Sequence, residues 1–246
     1  MKRLLFIIDP QIDFTSKNGS LYVPGSEDAM QFLSEFIKNQ DISDICVSQD
    51  THDVYHVGHA LYWENDKGNH PTPFTQFSDT SVWKPTKAPI ASANKYLSLL
   101  KQHGRVNTIW PNHCIEGTKG WEINPILLKA LNGWNIKRQN QGLKGYYTYR
   151  KGFAPDSEMF SILSSFDGQL VDFKELPVDL KNYDEVLIAG VAGDVCVAET
   201  IHDLIKLPYL KNKISFLKEG IAFLDRKAEA AKIYENAIYS FGAKYI

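Results

Sequence analysis

The chain has 246 residues, of which 43% are hydrophobic and 23% are charged, and its formal net charge is −2. This length and composition are typical of one globular domain with a sizeable core, so we predict a single domain over residues 1–246. Because there is no excess of basic residues, binding to nucleic acid or to an anionic membrane is not expected, and a small molecule is the expected partner.

The cysteines and the first residues indicate a cytoplasmic protein. The three cysteines, Cys46, Cys114 and Cys196, lie far apart along the chain. This is typical of a reducing compartment rather than of a disulfide framework. The apolar run at residues 4–8 is too short for a signal peptide or a membrane span, and Asp9 follows it directly.

Hydrophobic periodicity predicts strands that alternate with helices. The predicted strands are residues 4–8, 42–48, 184–189, 214–217 and 243–246. The predicted helices are residues 26–38, 92–102, 195–206 and 226–241, the last with Asp225 as N-cap and Gly242 as C-cap. Such alternation predicts an α/β fold with a mostly parallel, doubly wound sheet.

Residues 59–89 interrupt this alternation. They are rich in proline, glycine, histidine and aromatic residues and show no clear periodicity. We predict that they form a long ordered insert. Long loops inside compact domains are usually functional, so we expect this insert to have a functional role.

Polar residues follow three of the predicted strands. Asp9 ends the first strand, Asp50 follows the second, and residues 190–196 follow the third. Because the carboxyl ends of strands in a doubly wound sheet face one crevice, we expect these residues to lie close together.

Cys196 is a candidate nucleophile. It follows a strand and a turn of small residues and precedes a helix, where free N–H groups and the helix dipole stabilise a thiolate or an oxyanion. The alternative is a buried structural cysteine, which is the common fate of such residues. Cys46, in the middle of a strand, is interpreted as a core residue.

Asp9 and Lys151 are the candidates to act beside the thiol. A carboxylate directly after an apolar strand can act as a general base, although the neighbouring Pro10 also suits a simple turn. A lysine near a cysteine lowers the thiol pKa, but an isolated lysine is usually a solvated surface residue.

A metal site is predicted at the end of the second strand. Asp50 and His52 are two residues apart and therefore point the same way in an extended segment. With a distant histidine they would form a set that suits zinc or iron. His56, His59 and His113 are available for this, and a metal-free polar loop is the alternative.

Five segments, taken together and in this order, resemble the nicotinamidase branch of the isochorismatase-like cysteine hydrolases. They are IIDPQIDF at 7–14, SQDTHDVYH at 48–56, WPNHCIEGTKG at 110–120, YRKG at 149–152 and GVAGDVCV at 190–197. The resemblance extends from the first strand to the last helix. It implies a three-layer α/β/α sandwich.

The resemblance also implies roles for single residues. Asp9 would be the general base, Lys151 the lysine of the triad and Cys196 the nucleophile. A cis peptide bond between Val191 and Ala192 would direct the N–H groups of Ala192 and Cys196 toward one oxyanion.

For the ligands, the resemblance implies a divalent metal, zinc or iron, on Asp50, His52 and His113. His56 would be a further ligand or a partner of a ligand. Phe14 and Trp110 correspond to aromatic residues that enclose a flat ring, with Val191 as a further candidate contact of the substrate.

The implied activity is hydrolysis of a small aromatic amide such as nicotinamide to its acid and ammonia through a cysteine thioester. The alternatives are another small amide, ureido or carbamoyl substrate, or a silent member that binds a metal or a ligand. A nucleotide-binding protein is not favoured, because no G-x-G-x-x-G follows the first strand. We also predict a homo-oligomer, with residues 59–89 as lid or interface.

Overall fold

The centre of the molecule is a parallel sheet of six strands. The computed structural model describes residues 1–164, 176–224 and 230–246. The strands are β1 (Arg3–Ile8), β2 (Asp44–Asp50), β3 (Trp63–Glu64), β4 (Gln76–Phe77), β5 (Lys84–Pro85), β6 (Asn107–Thr108), β7 (Tyr147–Lys151), β8 (Glu185–Gly190), β9 (Ile214–Ile221) and β10 (Lys244–Tyr245). The sheet order is β10-β9-β8-β1-β2-β7, and every neighbouring pair is parallel.

Helices cover both faces of this sheet. They are α1 (Ile12–Thr15), α2 (Ser26–Asn39), α3 (Ile90–Gln102), α4 (Pro125–Gln139), α5 (Cys196–Leu204) and α6 (Ala230–Phe241). Alternate residues of β1 divide between the two faces. Leu5 and Ile7 belong to the core beneath α2 and α4, whereas Phe6 and Ile8 belong to the core beneath α5 and α6. The predicted three-layer α/β/α sandwich is therefore confirmed.

The strand order reverses direction between β1 and β8. The chain moves outward from β1 through β2 to β7, and then continues from β8 through β9 to β10 on the other side. A Cβ atom on Gly190 would lie 2.1 Å from the carbonyl oxygen of Ile8, and the φ angle of Gly190 is 119°. Only glycine therefore lets β8 end against β1, where a ligand crevice is expected.

Most predicted elements are present, with ends shifted by a few residues. The second strand begins at Asp44 rather than at residue 42. The described part of the last helix begins at Ala230, and Gly242 follows it with a φ angle of 75°. The predicted cap Asp225 and residues 226–229 lie outside the described residues.

Helix α4 was not predicted. Its start has a recognisable signal, because the Asn124 side chain accepts a hydrogen bond from the N–H of Ile126 and Pro125 follows in the first turn. Its buried residues, Leu127, Ala130, Leu131 and Trp134, face α2 and the sheet.

Residues 59–89 fold into short elements around a satellite core. Strand β3 pairs with β5, and β4 pairs with β6, both antiparallel. Tyr62 and Trp63 are fully buried with Tyr96 and Leu97 of α3. That these residues form a functional insert in a single domain stays a prediction. No helix in the described ranges is long and apolar enough to cross a membrane.

Candidate active site

Asp9, Lys151 and Cys196 meet at the carboxyl edge of the sheet. Asp9 follows β1, Lys151 ends β7 and Cys196 begins α5 directly after β8. The Lys151 Nζ atom lies 2.8 Å from Asp9 Oδ2 and 3.5 Å from Cys196 Sγ. The fold thus brings together three residues that are up to 187 positions apart, although their catalytic roles stay predictions.

Lys151 is completely buried between two carboxylates. Its Nζ also donates to Asp50 Oδ1 and to the carbonyl of Met159, both at 3.0 Å. Burial by itself would lower the Lys151 pKa, but Asp50 and Asp9 raise it well above its usual range. Lys151 therefore stays positively charged and links the Asp9 side of the site to the Asp50 side.

Asp9 is held in place by Ser48 of β2. Ser48 Oγ donates to Asp9 Oδ1 at 2.7 Å and accepts from the Asp9 N–H at 3.0 Å. Asp9 also has a φ angle of 45°, which is uncommon for a residue with a side chain. Burial raises the pKa of Asp9, although Lys151 opposes this. The carboxylate is therefore a stronger base than a solvated aspartate.

Cys196 differs from the thiolate expected from its position. Burial raises the pKa of its thiol well above the usual value, and Asp9 and Asp50 raise it further. Lys151 acts in the opposite direction without reversing the effect. At rest the sulfur therefore carries its proton, and attack on a substrate requires a base.

The loop before Cys196 presents two free backbone donors. The peptide bond between Val191 and Ala192 is cis, as the resemblance implied. In the described part of the chain, the N–H groups of Ala192 and Cys196 have no acceptor, whereas the Ala192 carbonyl accepts from Val195 and Val197. These two N–H groups are the candidate oxyanion hole.

Asp50, His52 and His113 could hold a metal ion. Asp50 Oδ2 lies 2.9 Å from His52 Nε2 and 3.5 Å from His113 Nε2. The opposite Nδ1 atoms donate to the carbonyls of Gly152 and Pro111 at 2.8 and 2.9 Å. Because backbone acceptors occupy the Nδ1 atoms, both Nε2 atoms are directed at one point beside a carboxylate. The residues therefore fit a divalent metal.

The charge on Asp50 suits the same role. Burial by itself would raise the pKa of Asp50, but His52 and Lys151 hold it well below its usual range. A carboxylate that stays ionised can bind a cation over a wide pH range.

His56 and Glu158 form the next layer of this cluster. His56 Nδ1 accepts the Gly58 N–H at 3.2 Å, and Nε2 donates to the Ser157 carbonyl at 3.3 Å. Both ring nitrogens thus contact the backbone, but His56, His52 and Glu158 also form a second group that could hold a metal ion, so either role of His56 stays a prediction. Glu158 is buried, and its Oε1 atom has no hydrogen-bond partner in the described residues.

Glu158 was missed by the sequence analysis. It lies in an irregular segment without a motif, so no local signal marked it. A Cβ atom on Gly58 would lie 2.2 Å from Glu158 Oε1, so the glycine makes room for this carboxyl group. Burial raises the pKa of Glu158.

A small cavity of about 30 Å³ opens above Cys196. Its wall is formed by Phe14, Leu21, Val23, Asp50, Trp110, His113, Glu158, Phe160, Ala192, Val195, Cys196 and Leu224. Phe14 and Trp110 both line this cavity, and that they enclose a flat ring stays a prediction. Val191 is not among the lining residues, because its side chain is fully buried in the core beneath α2 and α4. Phe160 and the four aliphatic residues Leu21, Val23, Val195 and Leu224 were not predicted.

The buried ion pairs of Lys151 predict a large loss of stability on substitution. Lys151→Met leaves Asp9 and Asp50 without their shared cation, and we expect the free energy of unfolding to fall by about 3–5 kcal/mol. Urea unfolding measures this. The control is Lys206→Met, because Lys206 pairs with Asp203 at 2.8 Å while its side chain is 54% exposed. The control should change stability by less than about 1 kcal/mol, and equal losses in both variants would contradict the prediction.

The sequence is similar to those of known nicotinamidases. No family model matches the chain. The chain is 26% identical over 210 residues to the nicotinamidase of Saccharomyces cerevisiae. The aligned region covers 84% of this chain and 83% of that protein. It is 24% identical over 245 residues to the nicotinamidase of Escherichia coli, and this aligned region covers 96% of this chain and 95% of that protein.

The fold is also that of nicotinamidases. The structure of the yeast nicotinamidase Pnc1p matches with a TM-score of 0.69 at 20% identity over 99% of both chains. The pyrazinamidase of Pyrococcus horikoshii in complex with zinc matches with a TM-score of 0.56 at 18% identity, over 100% of this chain and 99% of that one. The chain is therefore similar to nicotinamidases in sequence over most of its length, and it shares their fold.

Proposed function

We propose that this protein is an amidohydrolase that converts nicotinamide, or a closely similar aromatic amide, to its acid and ammonia. The contact of Asp9 and Lys151 with Cys196, which lines a largely apolar cavity, carries this proposal. Phe14 and Trp110 provide flat walls that suit one aromatic ring. The relatives named as nicotinamidases support the same substrate.

The first half of the reaction forms a thioester. Asp9 accepts the thiol proton as Cys196 Sγ attacks the amide carbonyl carbon. The carbonyl oxygen becomes an oxyanion, which the N–H groups of Ala192 and Cys196 stabilise by about 3–4 kcal/mol per donor. Because burial raises the pKa of the Cys196 thiol, the attack needs a base to accept its proton.

The second half releases both products. Asp9 gives its proton to the leaving nitrogen, and the C–N bond breaks to release ammonia. Asp9 then accepts a proton from a water molecule that attacks the thioester carbonyl, and the carboxylic acid product leaves as the thiol forms again. Lys151 keeps the two neighbouring carboxylates compatible with each other throughout.

Asp50, His52 and His113 would hold a divalent cation, and we propose zinc or iron. The zinc complex of the pyrazinamidase of Pyrococcus horikoshii supports this assignment. When bound, such a cation would supply a Lewis-acidic contact in the cavity that suits a ring nitrogen and orients the substrate. Glu158 also lines the cavity, and its Oε1 atom lies against Gly58 and 3.7 Å from His56 Nδ1.

The test is ammonia release from a panel of purified compounds. We expect nicotinamide to be hydrolysed with the highest kcat/KM, ahead of benzamide, an aliphatic amide, a ureido compound and a carbamoyl compound. Higher turnover of a ureido or carbamoyl compound would overturn the substrate assignment. No ammonia from any of them, with metal bound and the protein folded, would indicate a silent binding protein.

A cytoplasmic homo-oligomer also remains our proposal. Leu61 and Val82 lie within residues 59–89 and are 41% and 56% exposed, which supports an interface there. Light scattering would measure a mass above the 27.9 kDa of one chain if the proposal is correct.

A further inference from the structure

The side chain of Gln11, which follows β1, forms hydrogen bonds to the backbone of the candidate metal ligand Asp50. Gln11 is fully buried. Its Nε2 atom donates to the Asp50 carbonyl at 2.7 Å, and its Oε1 atom accepts the Asp50 N–H at 2.7 Å. A single amide thus pairs with both polar backbone groups of the residue whose carboxylate faces the histidines.

Asp13, two residues later, holds the segment that carries His113. Its Oδ2 atom accepts the N–H of Cys114 at 2.7 Å, directly after His113. Cys114 has a φ angle of 48°, a conformation that needs support from its surroundings in a residue with a side chain. Asp13 therefore stabilises an unusual backbone turn beside the second ligand.

Two further contacts keep Asp13 in position. Its Oδ1 atom accepts the N–H of Ser20 at 3.1 Å. A Cβ atom on Gly120 would lie 2.2 Å from Oδ2, so the carboxylate reaches Cys114 only because residue 120 is glycine. The hydrogen bond between Asp13 and Cys114 therefore depends on the close packing of Asp13 against Gly120.

We propose that Gln11 and Asp13 are positioning residues that set the separation of Asp50 and His113 and thereby the affinity of the site for a divalent metal. The inference rests on the proposed metal site. Metal ligands need their partners in the surrounding structure, and loss of such a partner typically weakens metal affinity 10–100-fold. Here these partners come from the same segment that carries Asp9, so one turn organises both halves of the site.

The experiment measures zinc affinity of the purified, metal-stripped chain by competition with a chromophoric chelator. Gln11→Met removes both hydrogen bonds to Asp50 at nearly constant volume, and Asp13→Ala removes the bond to Cys114. We expect each variant to bind zinc 10–100-fold more weakly than the wild type. The two variants act on different ligands, so if one fails to fold the other still tests the proposal.

Gln49→Met is the matched control. Gln49 is a buried amide that donates to the Trp121 carbonyl at 3.3 Å, and Gln11 also donates to that carbonyl at 3.0 Å. The control therefore loses a comparable contact without losing one to Asp50. Its zinc affinity should stay within about 2-fold of the wild type, a smaller change than loss of a ligand's partner causes.

The outcomes separate the two proposals. If the wild type binds no zinc, the proposed metal site is wrong. If the wild type binds zinc and both variants bind it equally well, the positioning proposal is wrong. Equal weakening in Gln49→Met would also overturn it, because the effect would then be a general loosening of the site. Thermal unfolding of each metal-free variant shows whether affinity changes in a folded protein.

Discussion

Cys196→Ala is expected to lower kcat for nicotinamide hydrolysis by at least about 10⁴-fold. The variant lacks the sulfur that forms the thioester, and loss of a nucleophile in a comparable hydrolase has an effect of this order or larger. Steady-state ammonia release is the measurement. Zinc binding should persist, because Asp50, His52 and His113 are unchanged.

The matched control is Cys46→Ala. Cys46 is fully buried in β2, within the core beneath α5 and α6 and away from the cavity wall. It should keep its activity within about 2-fold and lose only the modest stability that a small cavity costs. A Cys196→Ala protein with activity near that of the wild type would end the thioester mechanism.

Asp9→Asn is expected to lower kcat/KM by about 10²–10⁴-fold, the usual contribution of a general base. An amide has nearly the same shape as the carboxyl group but cannot accept the thiol proton. The hydrogen bond from Ser48 Oγ can persist, so the structural change is small. Ammonia release again measures the loss.

The pH profile gives Asp9 a separate signature. Only the ionised carboxylate acts as a base, and burial raises its pKa above the usual value of about 4. Activity of the wild type should therefore fall as the pH is lowered, and the fall should begin at a higher pH than a solvated aspartate would give. The residual activity of Asp9→Asn should lack this fall at low pH, which is the acid limb of the pH profile.

Asp44→Asn is the control for the pH profile. Asp44 is also a buried aspartate of the sheet, but its carboxylate pairs with Arg138 at 3.1 Å and accepts from Tyr183 at 3.0 Å, at the opposite end of β2. Its acid limb should match that of the wild type. If Asp44→Asn shifts the limb and Asp9→Asn does not, Asp9 is not the base.

The local pattern was sufficient for the elements that carry most of the site. The buried run at 4–8 predicts β1 because a short apolar segment before a charge suits a central strand. The Asp50 and His52 pair was also readable, since alternate residues of an extended segment point the same way. Strand ends and a helix start made Asp9 and Cys196 candidates with alternatives left open, and the resemblance carried by five motifs in one order gave Asp9, Lys151 and Cys196 their roles.

Glu158, Ser48 and Gln11 show what local patterns do not contain. Each matters because of a partner more than 38 positions away: Asp9 for Ser48, Asp50 for Gln11 and Gly58 for Glu158. Val191 shows the reverse case, since it lies within a motif but is fully buried and is not among the residues that line the cavity.

The amino-acid sequence by itself determined the α/β alternation and most strand and helix positions, and it named the candidate reactive groups. The spacing of hydrophobic residues and the short motifs are local features of the sequence. They can therefore be recognised without knowing which residues pack against them. The tertiary structure alone decided the distances between these groups, the shape of the cavity and the burial that raises the pKa of Cys196. Those properties depend on burial and on charges brought from distant strands, and the order in which the strands join the sheet determines both.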